Sequence, residues 1–445
     1  MSERRQRPHT PRIAPLAVIL ALFIFIFGIV SLCTMLPEKA PETLKEPDTQ
    51  QQDQPQNDPQ GTPPAPTGDA ITATIGVQGD ILMHLPVVET AVITGENYDF
   101  TSIFRYITDY VQSYDYAVAN LETTLAGSSR PYSGYPAFNC PDGIVSSVVD
   151  AGYDMLLTAN NHSYDTQLAG FDRTLEQVRG AGLQSLGTYL NDQEQKFSVI
   201  DVGGIKLGMI CYTYATGLTD AGYPKLNGIP MSQGGKVNFF TNDNLDRFYK
   251  ELTGMLADAK SAGAEATVLY IHWGEEYQLR ENATQQAIAQ KVCDLGVDVI
   301  VGGHPHVVQP VDLLESTTDP SHKTVCIYSV GNAVSNQRRD LISSCRTGHT
   351  EDGALFTVTF EKAPDGTVSV ADADVIPTWV NMSTVNGQKE YNILPLDDAT
   401  RDQWKTSFNL TDALYQEAVA SYDRTMAIVG DGLTEVQTWL TGNAA

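Results

Sequence analysis

The sequence predicts an α/β domain of layered sheets with helices on their outer sides. Three observations carry that expectation. Short apolar runs of strand length alternate with longer segments of helical spacing. Two hairpins interrupt the alternation, which fits layered sheets better than a simple doubly wound one. Polar residues of metal-ligand type fall just past the ends of predicted strands, where an α/β sheet displays its binding groups. A chain of 445 residues, 42% hydrophobic and 18% charged, has the length and composition for a sizeable core.

The elements follow in order. Residues 1–12 are a basic segment with Arg4, Arg5, Arg7 and Arg12, and Ile13–Leu36 are 24 consecutive uncharged residues. As a helix at ~1.5 Å per residue that run reaches roughly 36 Å, enough to cross a ~30 Å hydrocarbon core. The arginines before it predict a single-pass anchor in the cell membrane, N-terminus cytoplasmic and main domain extracytoplasmic. A cleaved signal peptide is opposed by the length of the run and the lack of an A-x-A site. Lipidation at Cys33 is opposed by Leu32, where a small residue is expected. Residues 37–70 hold eight prolines and six glutamines, with Leu44 the only large apolar side chain, and read as an extended, disordered tether.

From residue 71 the strand-like runs are Ile71–Gly79, Tyr116–Asn120, Asp154–Thr158, Ala266–His272, Val297–Gly302 and Thr324–Gly331. Helical spacing covers Ile103–Ser113, Leu168–Ala181, Leu245–Ala262 and Thr284–Leu295. The hairpins are Phe197–Tyr212, turning at Gly203-Gly204, and Ala354–Val370, turning at Asp365-Gly366. Residues 396–445 read as a helical tail with helices over Asp412–Met426 and Leu433–Leu440. Six cysteines contain no C-x-x-C pair. Cys211, Cys293 and Cys326 fall in core patterns, and pairing of Cys140 with Cys345 stays open.

The net charge of −26 argues against nucleic acid as a partner, because so acidic a surface repels a phosphate backbone. An anionic substrate is compatible with it only where bound cations reverse the local field. The chemistry-bearing segments supply ligands for such cations. They are Gly79-Asp80-Ile-Leu-Met-His84, Asn120-Leu-Glu122, Asn160-Asn161-His162-Ser-Tyr-Asp165, His272-Trp-Gly-Glu-Glu276-Tyr277 and Gly302-Gly-His304-Pro-His306. Five of the eight histidines lie in them. Mixed imidazole and carboxylate donors suit divalent Mn, Fe or Zn better than Ca or Mg. Two such ions bridged by a carboxylate polarise a phosphoryl group and activate water. Taken singly, each segment also has a structural reading as a strand-end turn or a packed histidine; their ordered recurrence favours the metal site.

The ordered set of these segments, with Gly-Gly-His-Pro-His-Val-Val-Gln-Pro and Tyr-Ser-Val-Gly-Asn, resembles the CapA family of poly-γ-glutamate capsule synthesis proteins over roughly residues 71–395. That family is similar to calcineurin-like metallophosphoesterases. The resemblance implies a four-layer αββα sandwich with two metal ions at the strand ends. Carried over, Asp80 and His306 bind the first metal, Asn161, His272 and His304 the second, and Glu122 bridges them. His162 is the general acid and Asp165 its orienting partner. Leu82 stands where metallophosphoesterases usually place a histidine, and His84 is the candidate substitute. Glu122 stands in for the usual bridging aspartate, since a carboxylate bridges two cations well, and Asn120 is a further candidate there. Asn120, Glu276, Tyr277, Gln309 and Asn332, with Tyr135, are candidates for lining the substrate cleft.

Two functions follow from the resemblance. One is a membrane-anchored, metal-dependent hydrolase or phosphoesterase-like protein in capsule polymer synthesis or export. The other is a non-catalytic assembly or polymer-binding component on the same fold. In both, the partners are an anionic cell-envelope polymer or its synthesis machinery.

Overall fold

The computed structural model describes residues 69–443, apart from 96 and 386. The basic segment, the expected anchor and nearly all of the tether lie outside the described residues. Among the described residues no helix is long and apolar enough to cross a membrane.

Two large sheets organise a mixed α/β fold. The first opens with β1 (Ile71–Ile81), followed in parallel by β2 (Tyr116–Leu121), β3 (Met155–Leu157) and β4 (Gln184–Leu186). The second contains β5 (Ser198–Val202), β6 (Ile205–Tyr214), β7 (Phe239–Phe240), β8 (Ala266–His272), β9 (Val299–Gly303), β10 (Val311–Glu315) and β11 (Lys323–Ile327). Its order is β7-β6-β8-β9-β11-β10, with β5 on β6. The strands from β7 to β11 run parallel, while β10 and β5 pair antiparallel with their neighbours. The chain then returns to the first sheet. There β12 (Asn332–Val334) pairs in parallel with the end of β1. The antiparallel strands β13 (Asp352–Lys362), β14 (Val368–Val385) and β15 (Gln388–Pro395) extend its other side.

The alternation of side chains along each strand explains the layering. Ile75, Val77 and Val118 of the first sheet share a buried cluster with Leu207, Met209, Val268 and Tyr270 of the second. The alternate residues face outward. Ala117, Ala119 and Leu121 pack with Val87 and Val88 of helix α1 (Leu85–Thr90) and with Ile144 and Val148 of α2 (Gly143–Ala151). A further helix, α3 (Gln167–Gly180), joins β3 to β4. On the second sheet, Ile210, Leu269 and Ile300 pack with Phe248 and Leu252 of α4 (Leu245–Ser261) and with Ile288 and Val292 of α5 (Ala283–Asp294).

Two helical expectations change. Ile103–Ser113 divides into single turns, Thr101–Phe104 and Thr108–Val111. The Ile107 N–H bonds the Phe104 carbonyl three residues back, which tightens the join while Ile103, Phe104, Ile107 and Val111 stay buried. The two tail helices are one, α6 (Asp412–Asn443). A Cβ at Gly432, between the two expected helices, would lie 1.7 Å from the Val311 carbonyl oxygen. Glycine there permits close packing of helix on strand. Asp352, at the start of β13, accepts from Arg424 and Ser421 of α6 at 2.7 Å. The five cysteines among the described residues, Cys140 and Cys345 included, are free and buried.

Candidate metal centre

The parallel strands of both sheets end at one level, so their C-terminal residues converge. Asp80 on β1 is in register with Asn120 on β2 and with Asn332 on β12, and His272 on β8 is in register with Gly303 on β9. The chain around Asp80 is tightly held. Its N–H bonds the Gly331 carbonyl at 3.0 Å, and a Cβ at Gly79 would lie 1.9 Å from that same oxygen. Only glycine lets the β12 strand approach so closely.

Asp80 and Glu122 are fully buried, and Asn161, His162, His272, His304 and His306 are nearly so. Ligand atoms of Asp80, Glu122 and His272 lie within 4.8 Å of one another, as do those of Glu122, His304 and His306. Glu122 is common to both groups. Asp80 Oδ2 lies 3.0 Å from His306 Nδ1, and Asn161 Oδ1 lies 2.8 Å from His272 Nε2. Glu122 Oε1 is 3.5 Å from His272 Nε2 and 3.8 Å from His306 Nε2, beyond hydrogen bonding, and it has no partner. His304 Nδ1 is likewise buried without a partner. Orphaned oxygen and nitrogen atoms on converging donor residues are what a cation would satisfy, so these residues fit a divalent metal.

The backbone is bent to achieve this. His304 and His306 have φ of 97° and 56°, left-handed values that cost about 1–3 kcal/mol each for residues with a Cβ. Pro305 between them fixes the turn that directs both imidazoles inward. Electrostatics follow from burial and proximity. Burial opposes the Glu122 charge, but the imidazoles of His306 and His272 prevail and hold its carboxyl below the usual range. Burial also opposes protonation of His306, yet Glu122 and Asp80 raise it to about 9. Burial drives His304 well below its ordinary value.

His162 Nδ1 lies 2.8 Å from Asp165 Oδ2, which also accepts from the Phe138 N–H at 2.7 Å. The ring meets Phe138 edge-on at 4.7 Å between centroids. His162 and His306 line a cavity of about 400 Å³ with His84, Tyr135, Glu276 and Tyr277. That volume lies in the ~300–1,000 Å³ range of small-ligand sites.

The other expected residues fall in three places. Asn120 joins the cluster, donating to Asp80 Oδ1 at 2.8 Å and to Glu122 Oε2 at 3.4 Å. His84 belongs to neither converging group. Its Nδ1 accepts from the Asn336 N–H at 3.2 Å, and burial, reinforced by His306, lowers it to about 4. Gln309 and Asn332 do not line the cavity. The Gln309 amide accepts from Gln285 and donates to the Gln278 carbonyl, both at 2.9 Å. Asn332 donates to the His306 and Thr350 carbonyls and to Gln337, and its Oδ1 lies 3.1 Å from His306 Nδ1, so it orients that histidine.

Two residues with a part in the site had no role in the sequence reading. Tyr214 ends β6, stacks parallel to His272 at 6.3 Å and lies 4.7 Å from His304. Its position at a strand end was the available signal, hidden by the expected end of the hairpin at Tyr212. Asn160 donates to Asn120 Oδ1 at 3.1 Å and to the Leu121 carbonyl at 2.8 Å, and accepts from the His162 N–H at 3.2 Å. It ties the β2 end to the loop that carries Asn161 and His162.

A family profile described as bacterial capsule synthesis protein PGA_cap matches residues 74–337. The chain is 29% identical over 309 residues to the capsule biosynthesis protein CapA of Bacillus anthracis, covering 68% of this chain and 66% of that protein. It is 26% identical over 301 residues to the PGA biosynthesis protein CapA of Bacillus subtilis (strain 168), covering 67% of this chain and 70% of that one. Among solved structures, NAD nucleotidase (NadN) of Haemophilus influenzae matches with a TM-score of 0.38 at 10% identity, over 80% of this chain and 67% of that chain.

Proposed function

The chain belongs to the bacterial capsule synthesis PGA_cap family, and from that premise we propose that it is a CapA-like component of poly-γ-glutamate-type capsule synthesis or export with a two-metal, hydrolase-like site. The observation that carries the reading is Glu122, fully buried, common to both groups of converging donors, with an oxygen that no protein group satisfies. Asp80, Asn161, His272, His304 and His306 would hold two ions of Mn, Fe or Zn, with Glu122 between them. The helix–sheet–sheet–helix order supports reading the body as a metallophosphatase-like sandwich.

When bound, the metals supply Lewis acidity toward a phosphoryl or carbonyl oxygen. The chain's own residues do the rest. Asp165 orients the His162 ring, leaving Nε2 to hold the proton that a leaving oxygen or nitrogen needs. Burial raises the Asp165 carboxyl, so its charge depends on the His162 and Phe138 hydrogen bonds. The uncharged run Ile13–Leu36 after four arginines supports membrane anchoring with the body extracytoplasmic.

Elemental analysis of the purified full-length chain tests the site. About two equivalents of metal are expected. No metal retained after reconstitution would sink the two-metal reading and leave the non-catalytic assembly role. His162→Ala should keep the metal and lose turnover in any hydrolytic activity found; unchanged turnover would refute the general-acid role. Full-length protein should sediment with membranes, and a mature chain starting near residue 35 in the medium would contradict the anchor.

A further inference from the structure

The cavity beside the metal centre has an uneven charge pattern that identifies what it recognises, given the two-metal capsule reading above. Its described lining contains no lysine or arginine, and Glu276 is its one carboxylate. Glu276 is exposed at the cavity. Tyr277 is anchored. Its N–H donates to the Pro305 carbonyl at 2.8 Å, its hydroxyl accepts from Gln337 at 3.2 Å, and its φ is 64°. Glu276, the residue before this anchored tyrosine, places a carboxylate at the cavity wall. Metal-bound, the floor has the opposite sign, since two divalent ions outweigh the carboxylates of Asp80 and Glu122. Phe138, Leu341 and Ile342 add apolar surface beside Tyr135, which is 73% exposed.

We propose that this cavity binds the amino-terminal end of an acidic, amide-linked polymer, with a carboxyl or carbonyl oxygen toward the metal cluster and the terminal ammonium against Glu276. The interior of a γ-linked polyglutamate chain carries only negative charge and meets no lysine or arginine in the lining. Its free amino terminus is the one cationic group, so only a chain end matches a positive floor and a negative wall. The apolar surface takes the methylene stem of the terminal residue. The site thus reads chain ends.

Titration calorimetry on the full-length chain tests this with two probes, γ-glutamyl-glutamate and its N-acetylated form, each with and without manganese. The free amine is expected to bind about tenfold more tightly, equivalent to about 1.4 kcal/mol. Glu276→Gln should abolish that preference without changing metal content, because Glu276 lies outside both donor groups. Equal affinities in the unmodified chain, a preference surviving in Glu276→Gln, or failure of both probes to bind would each overturn the inference. Metal content measured on the same samples reports separately on the two-metal reading. Retained metal without amine preference defeats the chain-end inference alone.

Discussion

Replacing Glu122 by glutamine should destabilise the metal-free protein and abolish its response to metal. In the metal-free fold this carboxylate is fully buried, and its nearest imidazole nitrogens are 3.5 and 3.8 Å away. Among the described residues its side chain makes one hydrogen bond, a long one at 3.4 Å from Asn120. Burial opposes its charge, but the His306 and His272 imidazoles hold its carboxyl below the usual range, so the fold favours the ionised form and glutamine removes that attraction. The Asp80–His306 contact survives the change. Net destabilisation of about 1–3 kcal/mol is expected. At ~2.1 cal/mol/K per residue, a body of about 370 residues has an unfolding entropy of ~0.8 kcal/mol/K, so Tm in chelator should fall by about 1–4 °C. The unmodified protein, at a metal concentration 100 times Kd, should gain about 2.7 kcal/mol, or about 3 °C. The variant should gain less than about 1 °C, so adding manganese widens the gap between the two proteins. Thermal scans in chelator and in excess manganese measure both arms. A variant more stable in chelator would mean that the burial cost of the Glu122 carboxylate outweighs its attraction to the imidazoles. A full metal response in the variant would remove Glu122 from the shared-ligand role.

Two further outcomes follow from other buried groups. Arg424→Ala removes the bidentate partner of Asp352, whose side chain is 2% exposed, and should cost about 3–5 kcal/mol, lowering Tm by about 4–6 °C; a drop below about 1 °C would show that α6 does not depend on this pair. His84 is lowered from 6.5 to about 4, so between these pH values the unfolded chain binds the proton and the folded chain does not. Its contribution therefore weakens stability as pH falls from 6.5 to 4, by about 2–4 kcal/mol in all. His84→Asn should flatten the Tm profile over that window, and an unchanged acid slope would contradict the assignment.

Periodicity made the parallel strands legible, since a strand buried on both faces reads as a continuous apolar run. Ala266–His272 is placed as expected. The helices Leu245–Ser261 and Ala283–Asp294 fall within a residue of expectation. The differences involve residues whose surroundings depend on distant neighbours. Gly432 lies between the two expected tail helices, yet it sits inside one helix and packs against Val311. Gln309 looks like a cleft residue by its place after His-Pro-His, yet the capping residue Gln285 and the Gln278 carbonyl hold its amide.

The candidate cluster was readable because strand ends in an α/β sheet are local features of the sequence, and the histidines and carboxylates sit at those ends. By itself the sequence determined the donor types, their order along the chain, the family resemblance and the uncharged run after the arginines. The tertiary structure alone decided which donors converge. Asp80 and His306 are 226 residues apart and meet at 3.0 Å, and Asn161 and His272 are 111 apart and meet at 2.8 Å. It also decided that Tyr214 packs on two of the imidazoles and that His84 shares a cavity lining with His162 and His306. The physical reason is that side-chain convergence depends on how two sheets stack and where their strands end in register. That arrangement is set by burial of alternate residues across the whole domain, and no window of sequence contains it.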